Sequence, residues 1–412
     1  MNSRNTNANV GNNSRFFQMS HAAALLFAIA CGLSVASIYY AQPLLDAIAI
    51  EFGMAHASIG ILITITQICY ALGLFLLVPL GDMLNRRKLI FGQMLASVLA
   101  LTIVGLSPSA TVLFAGLSLV GFLAVVTQTL VAFAATLSAP ERRGRVVGVV
   151  TSGVVIGILL ARTFAGIVTD LAGWRFVYLV SAALVLIMAC ALFFSMPKKE
   201  HQTESLSYSY LLRSMLTLFR QEGILRVRAV LALLIFTVFS ILWTSLVLPL
   251  SAPPLSLSHT AIGAFGLAGV TGALAAIRAG RYADRGLGQR TTGVALTLLL
   301  ASWIPISNTE HSLLALVVGI VLLDMAVQAV HVTNQSMIFM VRPEARSRLT
   351  AAYMIFYSIG SAAGSISSTY VYSIAGWYGV CLLGAAVSVM ALSFWAATVK
   401  HGEKTAKKEA HL

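Results

Sequence analysis

The chain has 412 residues, of which 58% are hydrophobic and only 10% charged, and its mean hydropathy is +0.88. Soluble globular domains carry roughly a quarter charged residues, so composition excludes that class. The net charge of +13 would suit a nucleic-acid binder until its bases are located: of 27 lysines and arginines, all but Arg162 and Arg175 fall in the tails or in loops on one side of a series of apolar runs.

A bilayer-spanning helix needs about 20 predominantly apolar residues. Twelve such runs follow one another, near 22–44, 58–80, 89–107, 111–137, 146–169, 176–196, 229–250, 260–280, 291–307, 312–338, 350–374 and 378–398. They are continuous rather than alternating, which excludes a β-barrel. The one-sided bases predict cytoplasmic termini by the positive-inside rule. The charge then serves topology and anionic headgroups, and nucleic acid is not a partner. Residues 1–18 read as a disordered cytoplasmic tail. The first run lacks a small-residue cleavage site and reads as a retained span. Cys31, Cys69, Cys190 and Cys381 lie within spans without paired spacing, so they read as apolar packers with no disulfide or metal role.

Span 1 carries Ser34, Ser37, Tyr39, Tyr40 and Gln42. Ser34, Ser37 and Tyr40 step by three and share a face. A polar face within a span wants a wet cavity or a partner helix, and Tyr40 is assigned to the cavity; an interfacial aromatic belt is the other reading. After span 2, the turn Val78-Pro79-Leu80-Gly81-Asp82-Met83-Leu84-Asn85-Arg86-Arg87-Lys88 squeezes an acid and three bases between two spans. Span 4 carries Thr127, Gln128 and Thr129. Span 5 has Gly153 and Gly157, four apart, a spacing that lets two helix backbones approach closely. It then carries Arg162, a charge that is expensive within a span without a partner; Asp46 and Glu51 are the candidates, and a structural ion pair or snorkelling to the outer surface is the other reading.

Residues 197–228 place Leu212, Met215, Leu216 and Phe219 at i, i+3, i+4, i+7, which predicts an amphipathic helix on the inner membrane surface, tethering what lies either side. In span 10, Asp324, Gln328, His331 and Gln335 recur at i, i+4, i+7, i+11, one stripe of a helix. Asp324 is the only acid deep inside a span, which makes it a functional-site candidate. With His331 it offers a route for protons. The alternative is a neutral carboxyl hydrogen-bonded to a neighbouring helix. Span 11 repeats the close-packing signal with Gly360 and Gly364.

The landmarks recur at half-length. Gly280-Arg281-Tyr282-Ala283-Asp284-Arg285-Gly286 echoes the first charged turn, with Asp284 lying 202 residues after Asp82. At an offset of 203, Pro140-Glu141-Arg142-Arg143 returns as Pro343-Glu344-Ala345-Arg346, Ala172-Gly173-Trp174 as Ala375-Gly376-Trp377, Gly157 as Gly360, and Gln128 as His331. A shared offset means an internal repeat. The chain divides into a six-helix half at 19–196, the connector at 197–228, a second half at 229–398 and a basic cytoplasmic tail at 399–412.

Twelve spans, a six-plus-six repeat and charged turns after spans 2 and 8 resemble the major facilitator superfamily, whose turn signature is Gly-x-Leu-Ala-Asp-Arg-x-Gly-Arg-Arg. Leu80, Asp82, Arg86 and Arg87 match it in the first copy, and Gly280, Ala283, Asp284 and Arg285 in the second. Within that superfamily the chain is most similar to the twelve-span drug/proton antiporters. Their span-5 signature is Gly-x-x-x-Gly-Pro-x-x-Gly-Gly. Gly153, Gly157 and Gly166 match it, whereas Ile158 replaces the proline and Arg162 has no counterpart.

The resemblance implies an all-α integral membrane fold and a site between the halves, exposed to alternate sides. It implies a gate in which Asp82 sits against the positive N-terminus of span 11 and Asp284 against that of span 5, with Arg86, Arg87 and Arg285 beside them. The reading is a monomeric bacterial inner-membrane transporter that exports a small organic molecule, coupled to protons, without cofactor. Asp324, Gln328, His331, Gln128, Tyr40 and Arg162 line its cavity. A metabolite importer is the alternative. The chain has no HExxH, GxSxG or Walker sequence to support an enzyme or ATP-driven pump. A sensor would append a soluble domain, and the longest loop is the connector.

Overall fold

The computed structural model describes residues 19–55, 57–138, 142–197, 207–341 and 346–409, and these are helices and turns without a strand. Span 1 is α1 (His21–Tyr39), a 3-10 turn at Gln42–Leu44 and α2 (Leu45–Phe52). Spans 2 and 3 are α3 (Ile61–Leu76) and α4 (Arg86–Gly105). Span 4 is α5 (Ala110–Leu123) followed by α6 (Val126–Thr136), and spans 5 and 6 are α7 (Arg143–Ala172) and α8 (Trp174–Ser195). The connector contains α9 (Tyr208–Gln221). Span 7 is α10 (Gly223–Ser245) with α11 (Val247–Ser251). Span 8 is α12 (His259–Ala264), a 3-10 turn at Phe265–Gly269 and α13 (Val270–Tyr282). Span 9 is α14 (Gly288–Ala301) with α15 (Trp303–Ser307), and span 10 is α16 (Leu313–Phe339). Spans 11 and 12 share one run, α17 (Arg346–Glu409), bent at Gly376.

Among the described residues nine helical segments are long and apolar enough to cross a membrane. Span 12 shares the last of them with span 11, and turns interrupt spans 8 and 9, so nine segments and twelve spans describe one architecture. The repeated Ala-Gly-Trp has a backbone reason. Gly173 and Gly376 adopt φ values of 90° and 60°, which only glycine takes without strain, and each reverses the chain between two spans.

The same helix pairing recurs in both halves. A Cβ at Gly153 or Gly157 would strike the α1 backbone at Ala28 or Gly32, and one at Gly360 or Gly364 would strike the α10 backbone at Leu233 or Thr237. Without hydrophobic driving force between helices in lipid, such close backbone contact is what holds them together.

The connector differs from expectation. Leu211, Met215 and Leu218 form the buried face of α9, while Leu216 is exposed. The helix packs on protein: Leu218 joins Leu225, Ile338, Leu349 and Tyr353, and the Phe219 ring stacks on Phe356 at 4.9 Å. At its other end, the Tyr208 hydroxyl donates to the Leu76 carbonyl at 2.9 Å, so α9 touches both halves. Arg228, grouped with the connector by sequence, is buried within α10 and donates to Thr292 and Asn334.

The bundle has a basic end, bearing the charged turns, and a far end. The halves meet at the far end. The Thr64 hydroxyl donates to the Ala362 carbonyl at 3.0 Å, Thr163 to the Gly263 carbonyl at 3.0 Å, and Gly166 faces the His259 carbonyl. His259 is clamped: Nε2 lies 3.2 Å from Asp46 Oδ1 and Nδ1 lies 3.1 Å from Asp170 Oδ1. The backbone N–H groups of His259 and Thr260, at the start of α12, also donate to Asp170. Toward the basic end, Leu159 of α7 lies against Gly269 of span 8. Beyond that point Gly148 and Gly144 face open space, and Arg145, Arg278 and Arg281 are exposed.

The clamp makes the far-end seal pH-dependent. The Asp46 hydrogen bond, with Asp170 assisting, raises the His259 pKa above its ordinary 6.5. The stabilisation is complete below about pH 6.5 and is lost as pH rises through the raised value. Melting of the purified protein against a His259→Gln variant checks this. The wild-type advantage is expected to be greatest at acidic pH and to shrink above pH 6.5; a constant gap would show that His259 bonds only as a neutral ring.

Candidate functional site

Three helix segments from the two halves converge where the far-end contacts give out. From α7, Arg162 is 3% exposed. Its Nε donates to Gln42 Oε1 at 2.9 Å, across to the 3-10 turn of span 1. Its guanidinium carbon lies 3.8 Å from the centre of the Trp243 ring, with Tyr39 and Phe239 at 5.4 and 5.5 Å. Trp243, on α10, donates from Nε1 to Asp324 Oδ1 on α16 at 3.1 Å. A buried cation and a buried carboxylate thus share one indole, one over its face and the other at its N–H edge. They form no direct ion pair. Nη2 of Arg162 has no hydrogen-bond acceptor among the described residues.

The wall around them is aromatic. The Tyr39 and Tyr357 hydroxyls bond each other across the seam between the halves. Phe236 packs on Tyr357, with ring centres 3.9 Å apart, and on His331 at 5.2 Å. Glycines admit the carboxylate: a Cβ at Gly269 would lie 2.9 Å from Asp324 Oδ2, and one at Gly272 would lie 3.0 Å from the Asp324 carbonyl.

Of the residues expected in the cavity, Arg162 and Asp324 come together. Gln128 lies beside Tyr70 of α3, within the N-terminal half. The stripe on α16 fans out across three neighbours. Asp324 meets Trp243, Gln328 lies against Gly272 of α13, and His331 Nδ1 is 3.0 Å from the Tyr353 hydroxyl of α17. Tyr40 is a correction. It points into the N-terminal half, where its hydroxyl accepts from Ser181 at 3.2 Å and its ring packs on Phe164 and Tyr178. Tyr39, about 100° away around the helix, faces the seam instead.

The expected partners of Arg162 are a second correction. Asp46 is taken by His259, and Glu51 pairs with Arg175 and accepts from Trp174 Nε1 at 2.6 Å. Sequence reasoning missed Trp243 and Tyr357. The repeat held a clue to Trp243, which falls on Tyr40 at the 203-residue offset.

At the basic end, Arg86 Nε donates to the Gly81 carbonyl at 2.7 Å and its Nη1 to the Thr136 hydroxyl at 2.6 Å. Arg87 donates twice to the Phe193 carbonyl and stacks on that ring at 4.2 Å. These contacts clip the first charged turn to α6 and α8 of its own half. Arg285 is exposed. The side chains of Asp82 and Asp284, the tail at 1–18 and the loops at 139–141 and 342–345 lie outside the described residues.

Two repeated helical halves meeting at a buried charged seam are the architecture of secondary transporters. A sequence model described as Major Facilitator Superfamily matches residues 27–293 and 228–412, and the chain belongs to that superfamily. It is 48% identical over 378 residues to the uncharacterized transporter YgaY of Escherichia coli O157:H7, covering 92% of this chain and 96% of that one. It is 29% identical over 385 residues to the transporter SCO4007 of Streptomyces coelicolor, covering 92% and 88%. Among solved structures it superposes with a TM-score of 0.76 on a bacterial homolog of the human lysosomal transporter Spinster in an inward-facing, occupied conformation. That match is at 15% identity and covers 92% of this chain and 96% of the other.

Arg162 and Asp324 are buried charges that make no direct ion pair with each other. Replacing buried charges together by neutral side chains of similar size is often neutral or stabilising by about 1–4 kcal/mol, whereas removing one alone leaves the other uncompensated. Arg162→Met combined with Asp324→Asn is therefore expected to melt at the same temperature as the native protein or higher. A fall of several degrees would mean that the two charges are a structural tie.

Proposed function

We propose that the chain is a proton-coupled secondary transporter of a small organic molecule in a bacterial inner membrane, with both termini cytoplasmic. The observation that carries this reading is the Asp324 carboxylate, 5% exposed and bonded to an indole at the seam. An ionisable group at membrane depth is costly and marks a pathway. Facing the seam between halves that rock, it takes a proton from one side and releases it to the other.

The parts have separate duties. Arg162, Trp243 and Asp324 form the binding centre, with Gln128, Gln328 and His331 around it. The Asp46–His259–Asp170 clamp closes the far side, which is the outer side if the termini are cytoplasmic. The turns bearing Asp82, Arg86, Arg87, Asp284 and Arg285 gate the cytoplasmic side, with the two carboxylates set against helix N-termini.

Direction follows from what loads Asp324. A solute that competes with the proton there gives exchange, and hence efflux. A solute that binds with the proton gives co-transport, and hence uptake.

Asp324→Asn in proteoliposomes tests the coupling. The variant is expected to insert normally and to lose solute-dependent proton movement, read with an internal pH dye, by at least about tenfold. Proton movement unchanged from the native protein would remove Asp324 from the pathway.

A further inference from the structure

We infer that the solute is an organic anion with a flat apolar body, bound by Arg162 and loaded together with a proton on Asp324. The inference rests on the transport reading above and adds the charge of the solute. Arg162 is almost fully buried, and its contacts leave one donor unmet. Nε is engaged by the neutral Gln42 amide, and one face of the guanidinium is covered by Trp243. Nη2 remains without an acceptor among the described residues. Asp324, the carboxylate that could neutralise it, is held away at the indole N–H. A buried donor left unmet is expensive, and a charged one more so. A carboxylate or sulfonate matches a guanidinium edge with two parallel hydrogen bonds. The surrounding rings of Tyr39, Phe239, Trp243 and Tyr357 offer flat apolar walls to the rest of the solute. A cationic solute would have to enter beside a fixed guanidinium and is disfavoured there.

Charge balance then sets the coupling. With Arg162 positive and Asp324 negative, the empty centre is neutral. One bound anion makes it singly negative in a low-dielectric seam, and one proton taken from water onto the Asp324 carboxylate restores neutrality. The anion and the proton load together and leave together. Driven by an inward proton gradient the pair moves inward, so the charge of the site favours the uptake alternative over efflux.

The test uses the purified full chain and solutes of fixed charge on one ring: benzenesulfonate, neutral benzenesulfonamide and cationic benzyltrimethylammonium. None of the three ferries protons by itself. In detergent, benzenesulfonate is expected to raise the melting temperature while the other two do not. Arg162→Gln is expected to weaken that binding by about tenfold or more, with Arg162→Lys retaining part of it. In liposomes carrying a pH dye, external benzenesulfonate is expected to acidify the lumen, and Asp324→Asn to abolish the acidification. Stabilisation by the cation, or by none of the three, overturns the anion assignment. Binding of the anion without lumen acidification leaves the solute class standing and overturns the coupling. Alkalinisation of the lumen on adding the cation outside overturns both the anion assignment and the co-loading, and leaves only the proton-coupled reading above standing.

Discussion

An arginine and an aspartate buried at one seam, on different halves and out of direct contact, impose the central constraint on this structure. Each desolvated charge costs on the order of several kcal/mol. The protein offsets that cost without a direct ion pair between the two. Trp243 takes the guanidinium on its face, a cation–π contact of about 2 kcal/mol when desolvated, and holds the carboxylate at its N–H. Gln42 supplies one neutral acceptor from the opposite side. The result is a charged centre that is internally incomplete, and this is what the proposed binding of a solute and a proton rests on.

The helical scaffold makes that centre possible. Gly153 and Gly157 bring α7 onto α1 within one half, and Gly360 and Gly364 bring α17 onto α10 within the other. Each half is thereby a tight unit, while contact between the halves is concentrated toward the far end. The His259 clamp, the Thr64 and Thr163 hydrogen bonds and the Tyr39–Tyr357 pair lie along that meeting line. Rigid halves joined by a limited seam are what alternating access needs, because the site opens by moving one half against the other.

The scaffold repeats and the chemistry does not. At the 203-residue offset Gly157 falls on Gly360, yet Arg162 falls on Ser365 and Asp324 on Gly121. This explains how much was legible in the sequence. Span positions, the repeat and the close-packing glycines follow from hydrophobicity and spacing, which are local properties. Arg162 and Asp324 stood out because charge is rare within spans. Which residues they meet was hidden, because it depends on how each helix is rotated and on contacts between segments far apart in the chain. One residue of rotation separates Tyr39 at the seam from Tyr40 in the interior of its half. The connector helix shows the same limit: its apolar stripe was evident, but the buried line of Leu211, Met215 and Leu218 was set by docking onto α10 and α17.

The claim that the seam opens alternately to the two sides is tested most directly by distances at both ends of one molecule. Spin labels at Gly148 and Arg281 report the basic end, and labels at Leu171 and Ser256 report the far end. In lipid nanodiscs, pulsed dipolar spectroscopy with and without benzenesulfonate at acidic pH reads both pairs. The account predicts opposite changes: as the basic-end distance shortens, the far-end distance lengthens. A basic-end distance that shortens while the far-end pair stays fixed, or two distances that change in the same sense, would contradict it.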